Sequence, residues 1–313
     1  MNHRTVLFLS SIWVLEACGN DTPQTDKPPI VKPGELNGPC PMENHVGGFS
    51  VAALPEYSAV DGKVADSVVP SAILDEVSRN GTCRLLKRSV LVCNPPCPSG
   101  KTCDRTLTCV PYPRNQDVGT VSIYGLAVPV TMEPLPPGNT YFAPDVPNPV
   151  FVPLAPLLLE STEGYYGALS LSGDGVALLD PEPDAWLLED GQPLPLSWDP
   201  PPEGARSEIK VVLSVDQHGT SPVSIECLFP DTGTAEIPAS VVSDLINFGV
   251  SGFPNGSLIR ETMDSTTAGD RCISFAVLSK AIPAVRVKGY IPCDEPGDCP
   301  NPLQCNMTLH LCE

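Results

Sequence analysis

Cysteine is the residue that most constrains this chain. There are 13 in 313 residues, and the eleven from Cys83 onward fall in short, closely spaced groups or inside apolar runs. Two segments carry the same pattern: "CPSGKTCDRTLTC" over 97–109 and "CPNPLQCNMTLHLC" over 299–312, each Cys-Pro-x4-Cys-x2-Thr-Leu with a closing Cys, and each preceded by one more cysteine, Cys93 or Cys293. A segment of about 20 residues cannot build its own core and needs covalent staples. Zinc is the rival staple, but these spacings are not the paired C-x2-C of zinc ribbons, so disulfides are expected and no metal. Spacing alone leaves connectivity open. First-to-third and second-to-fourth pairing avoids a tiny Cys93–Cys97 loop, giving Cys93–Cys103, Cys97–Cys109, Cys293–Cys305 and Cys299–Cys312. The remaining pairs are expected to be local: Cys40–Cys83 and Cys227–Cys272, each closing a loop of about 45 residues.

An odd count leaves one cysteine over. Cys18 ends "MNHRTVLFLSSIWVLEAC", in which Arg4 precedes an apolar stretch over 5–15 that is shorter than the ~20 residues of a spanning helix. Leu15-Glu16-Ala17-Cys18 resembles the bacterial lipobox; Glu16 departs from its small, uncharged position. The resemblance implies that 1–17 is a signal peptide and that the Cys18 sulfur receives lipid. Twelve cysteines then remain for six bridges in an oxidising compartment. The implied location is the cell envelope, with membrane attachment through the lipid and, with Gly19 at the next position, the outer membrane favoured.

Composition narrows the role. Net charge is −19, which argues against nucleic acid, whose binders need clustered Lys and Arg. Residues 18–39 carry the lipidated end and a tether: from 19 to 39 there are five prolines and few large apolar residues, a composition that cannot bury a face. From 118 onward short alternating runs recur between Gly, Pro and Asp, including "SEIKVVLSV", "SPVSIECLF", "GVALLD", "GSLIRETM" and "RCISFAVLS". This predicts an all-β chain, with one or more β-sandwich domains and two small disulfide-rich knuckles. Helices are expected at 70–81, from Ser71 to an Asn80-Gly81 stop, and at 239–248, where Val241, Val242, Leu245 and Ile246 share a face. The expected divisions are 40–92, a small β-rich region with a short helix; 93–112, the first knuckle; 113–189, β-rich; 190–284, a sandwich; and 285–313, the second knuckle.

Two likenesses to known modules are present. The knuckles resemble EGF-like or Dickkopf-like cysteine repeats of bacterial surface lipoproteins, which implies a secreted structural module. "LPLSWDPPPEG" resembles the first strands of fibronectin-III-like or Ig-like sandwiches, which implies that Trp198 is buried.

Catalytic signatures are sparse. His45, His218 and His310 lie outside any HExxH, and GxSxG, GxxxxGK[ST] and GxGxxG do not occur. Asp231-Thr232-Gly233-Thr234 resembles the aspartic-protease element, but a second copy to share the proton is missing, so a hairpin turn is expected. "LSGDGVALLD" over 171–180 lacks the ligand density of a calcium loop and reads as a solvated turn. The expected role is a non-catalytic binding or structural module with a protein or glycan partner and no cofactor. The alternative is a glycan- or peptide-directed hydrolase using loop carboxylates. Asn20, Asn80, Asn255 and Asn306 form glycosylation sequons, as a eukaryotic secreted protein would have; the lipobox outweighs them.

Overall fold

The computed structural model describes residues 31–180, 184–215 and 223–313. Cys18, the signal segment and His218 lie outside the described residues. The protein is all-β, with β1 (His45–Ala53), β2 (Ser58–Val64), β3 (Leu74–Asn80) and β4 (Cys83–Arg88) before the first knuckle hairpin, β5 (Lys101–Cys103) and β6 (Cys109–Pro111). There follow β7 (Val121–Tyr124), β8 (Val130–Met132), β9 (Tyr141–Ala143), β10 (Pro156–Ser161), β11 (Ser170–Asp174), β12 (Ala185–Leu188) and β13 (Leu194–Ser197). The last part holds β14 (Glu208–Ser214), β15 (Val223–Pro230), β16 (Thr234–Ile237), α1 (Ala239–Asn247), β17 (Asn255–Ala268), β18 (Arg271–Ala281) and β19 (Ala284–Val287). The second knuckle closes the chain with β20 (Cys305–Asn306) and β21 (Leu311–Cys312).

One long sheet runs β3-β4-β15-β14-β17-β18-β1-β2-β9, with β12 and β19 attached beside β17. The pairs β1–β18 and β12–β19 are parallel. Two layers cover one face of this sheet side by side. The sheet β11-β10-β7-β8 packs Ile123, Leu157, Leu159 and Leu171 against Phe49, Val51, Phe275 and Val277, forming the first core. The β13–β16 pair and α1 pack Leu196, Trp198, Ile237, Val241, Val242 and Leu245 against Leu85, Val211, Ile225 and Leu258, forming the second. Trp198 is buried, as the sandwich resemblance implied.

Strand β17 lies between the two cores. Its buried face runs Leu258, Arg260, Thr262, Asp264, apolar at one end and polar along the rest. Each polar group is satisfied. The Arg260 side chain is 0% exposed and meets Asp231, 2% exposed, through Nε–Oδ2 at 2.6 Å and Nη2–Oδ1 at 3.1 Å. Arg260 also donates to the carbonyls of Ala177, Leu178 and Asp199. Asp231 further accepts from Trp198 Nε1 (2.8 Å) and Ser207 Oγ (2.6 Å). Thr262 and Asp264 work as a substitute strand edge: the Asp174 amide donates to Thr262 Oγ1 (3.2 Å) and the Ser172 amide to Asp264 Oδ2 (2.7 Å). The outer amides of β11 are thus paired by side chains of β17.

Several expectations are corrected here. Residues 70–81 form a single 3-10 turn, Pro70–Ala72, and then β3, whose Asn80-Gly81 is a hairpin corner into β4, with Gly81 at φ 60°. Asn80 pairs with Cys83, so Gly81-Thr82 is a two-residue hairpin loop with glycine at its first position, where positive φ is needed, and that outcompeted the helix stop. "GVALLD" forms no strand. Asp231-Thr232-Gly233 does turn the chain, but β15 pairs β14 and β4 whereas β16 pairs β13; the turn crosses between layers instead of closing a hairpin. Asp174, expected on a solvated turn, is buried and bridges Arg206 Nε at 2.6 Å.

The local pairs Cys40–Cys83 and Cys227–Cys272 do not form. The structure joins Cys40 to Cys272 and Cys83 to Cys227, across 232 and 144 residues. The reason is topological: β1 inserts beside β18, and β4 beside β15, which sets Cys83 directly opposite Cys227. The same interleaving removes the boundary at 190, because strands from 45–88 complete the sheet of 208–281. Within the knuckles the bridges are Cys93–Cys103, Cys97–Cys109, Cys293–Cys305 and Cys299–Cys312. Non-reducing digestion and mass spectrometry should recover peptides linked 40–272 and 83–227. Replacing Cys83 and Cys227 by alanine should lower stability by about 2–5 kcal/mol. Peptides linked 40–83 would refute the topology.

Candidate binding groove

The free face of the long sheet carries a groove of about 660 Å³. Seven consecutive strands, from β3 through β4, β15, β14, β17 and β18 to β1, contribute lining residues. Its floor follows from strand alternation. On β14 and β17 the residues between the core positions point outward, so Glu208, Lys210, Glu261 and Met263 share the exposed face.

One wall is a strap, residues 34–43. It was expected to be free tether up to 39, and it is docked from Gly34 on. Asn37 donates from its amide (2.9 Å) and from Nδ2 (3.0 Å) to Asp264 Oδ1, the Gly38 amide donates to the Met263 carbonyl (3.2 Å), and Arg206 Nη1 donates to the Gly34 carbonyl (2.6 Å). A Cβ at Gly34 would lie 1.9 Å from Ser172 Oγ, so the strap approaches β11 as only glycine allows. Cys40–Cys272 fastens its end. The opposite wall is the β3–β4 corner, with Arg79, Gly81, Thr82 and Arg84. The Cys83–Cys227 bridge fixes the β4–β15 register one residue away from the Arg84–Glu226 pair.

Charge is unevenly distributed along the floor. Arg84 and Lys210 (3.2 Å) both engage Glu226. Burial pushes the Glu226 carboxyl upward, but Lys210 and Arg84 outweigh it and hold it below its ordinary value. Arg79 pairs with Glu76 at 2.6 Å. Glu208 and Glu261 stand directly opposite each other on β14 and β17, a like-charge pairing that costs stability. Burial raises the Glu261 pKa, and the negative charges of Glu226 and Glu208 add to it against the pull of Lys210. His45 lines the strap end, with Nε2 3.0 Å from Ser274 Oγ; burial lowers its pKa, and the Lys210 charge adds to that against a bond with the Gly47 backbone.

The other residues singled out by sequence are dispersed. His310 sits in the second knuckle, 3.3 Å from Asp294 and 3.1 Å from the Cys293 carbonyl. The sulfurs of Cys93, Cys97 and Cys109, and of Cys293, Cys299 and Cys312, cluster within 4.8 Å because bridged pairs lie side by side in each knuckle; a bridged sulfur has no thiolate to offer a metal. Among the described residues no helix is long and apolar enough to cross a membrane. Compared with protein-family models and with curated proteins, the chain matches none.

The raised Glu261 pKa has a defined consequence for stability. The folded state holds this proton more tightly than the unfolded chain does. Its stabilising contribution is therefore complete below the unfolded value and is lost as pH rises through the folded one. Glu261→Gln should stabilise the protein at neutral pH by about 0.5–1 kcal/mol and change little well below the ordinary carboxylate range. Urea titrations at the two pH values check this; equal effects at both would contradict the burial of Glu261 as a charge.

Proposed function

We propose that this chain is a lipid-anchored cell-envelope protein that acts as a non-catalytic binding module through the strap-walled groove. One observation carries the binding role. The two disulfides that span the longest stretches of sequence, Cys40–Cys272 and Cys83–Cys227, hold the two walls of the same groove. Fixing walls in advance reduces the ordering cost of binding, and the groove volume falls in the range of ligand sites. The anchor rests on Leu15–Cys18 and on the even cysteine count beyond it. The Pro-rich stretch up to 33 would serve as the spacer between the lipid and the folded part.

The opposed carboxylates Glu208 and Glu261 also favour a second reading, a glycan hydrolase. Such enzymes use two carboxyl groups whose environments set their pKa values apart, and Glu261 is the one pushed upward.

Replacing Cys18 by serine should move the mature protein from the detergent phase to the aqueous phase; continued partitioning into detergent would refute the anchor. Thr82→Trp, which fills the groove at its exposed wall, should abolish capture of envelope ligands by the purified protein, and capture that persists would refute the groove's role. A captured glycan shortened by the wild type, and left intact by Glu261→Gln, would favour the hydrolase.

A further inference from the structure

The groove's length and charge point to the chemistry of its occupant, an inference that rests on the binding role proposed above. Seven neighbouring strands at ~4.8 Å spacing give a floor about 29 Å long. That is the span of about nine residues of extended polypeptide, and far more than a single small molecule occupies. The basic groups of the floor and hairpin wall are already matched, Arg84 and Lys210 by Glu226 and Arg79 by Glu76. Glu208 and Glu261 face each other outside these ion pairs, Lys210 beside them being engaged by Glu226, and Glu43 of the strap adds a third carboxylate. Met42 and Met263 lie beside them. Methionines beside carboxylates that hold no ion pair suit a long aliphatic stem that ends in a cation.

We propose that the groove binds an extended peptide segment that places a lysine or arginine side chain over Glu208 and Glu261. A cation there offsets the like-charge opposition of Glu208 and Glu261, and the net charge of −19 draws a basic segment from a distance.

Fluorescence anisotropy of the mature, fully oxidised protein tests this, with labelled peptides about nine residues long. The probes are Ser/Thr/Val peptides with one central lysine, arginine, norleucine or glutamate. Lysine and arginine probes should bind at least about tenfold tighter than the norleucine probe, and glutamate weakest, with the difference shrinking as salt rises. Glu208→Gln combined with Glu261→Gln should erase the preference. Because that change relieves repulsion, the variant should remain folded, which circular dichroism verifies. Equal binding of lysine and norleucine probes, or a preference that survives the double variant, overturns the inference. Binding of neutral glycans that Thr82→Trp blocks, with no peptide held, overturns the inference and leaves the binding role standing. If neither peptides nor glycans are held, both fall.

Discussion

The bidentate pair of Arg260 and Asp231 is the contact on which the rest of the architecture depends. Arg260 projects from the middle of β17 to the boundary between two apolar cores. Its guanidinium joins the segment after β11, through the Ala177 and Leu178 carbonyls, to the segment after β13, through the Asp199 carbonyl. Asp231 adds the Trp198 indole and the Ser207 hydroxyl. A buried charge without its partner is strongly destabilising, whereas a satisfied one fixes geometry. The pair therefore sets how the two covering layers sit on one sheet.

Thr262 and Asp264 continue the same polar seam. They serve the outer amides of β11, and Asp264 also holds Asn37 of the strap. One carboxylate thus links the β11 layer, the central strand and the wall of the groove. The groove is the solvent-facing consequence of that interior. Arg260, Thr262 and Asp264 turn inward on β17, so Glu261 and Met263 turn outward beneath the strap.

Much of the secondary structure was legible in the sequence because alternation is a local signal. The runs that became β14 and β15 alternate in burial along most of their length, and Val241, Val242 and Leu245 marked α1. The knuckles were legible because their spacing repeats. What could not be read was which strands become neighbours. In "GSLIRETM" both faces of the strand carry an apolar residue, Leu258 on one side and Ile259 and Met263 on the other. Only its neighbours reveal that the face with Arg260 is the buried one. Cysteine pairing failed for the same reason, since β4 meets a strand 144 residues away. The groove was invisible in the sequence, because its lining comes from strands scattered between 45 and 274.

The Arg260–Asp231 pair binds two cores into one cooperative unit. Both described tryptophans, Trp186 and Trp198, belong to the second core, whereas β1 and β18 supply the first. The decisive measurement is denaturant unfolding of Arg260→Leu, followed by tryptophan fluorescence and, in parallel, by hydrogen exchange of β1 and β18. In the wild type the two probes should report one transition. The variant should lose about 3–5 kcal/mol and show two separated transitions. A loss below about 1 kcal/mol with coincident transitions would contradict it.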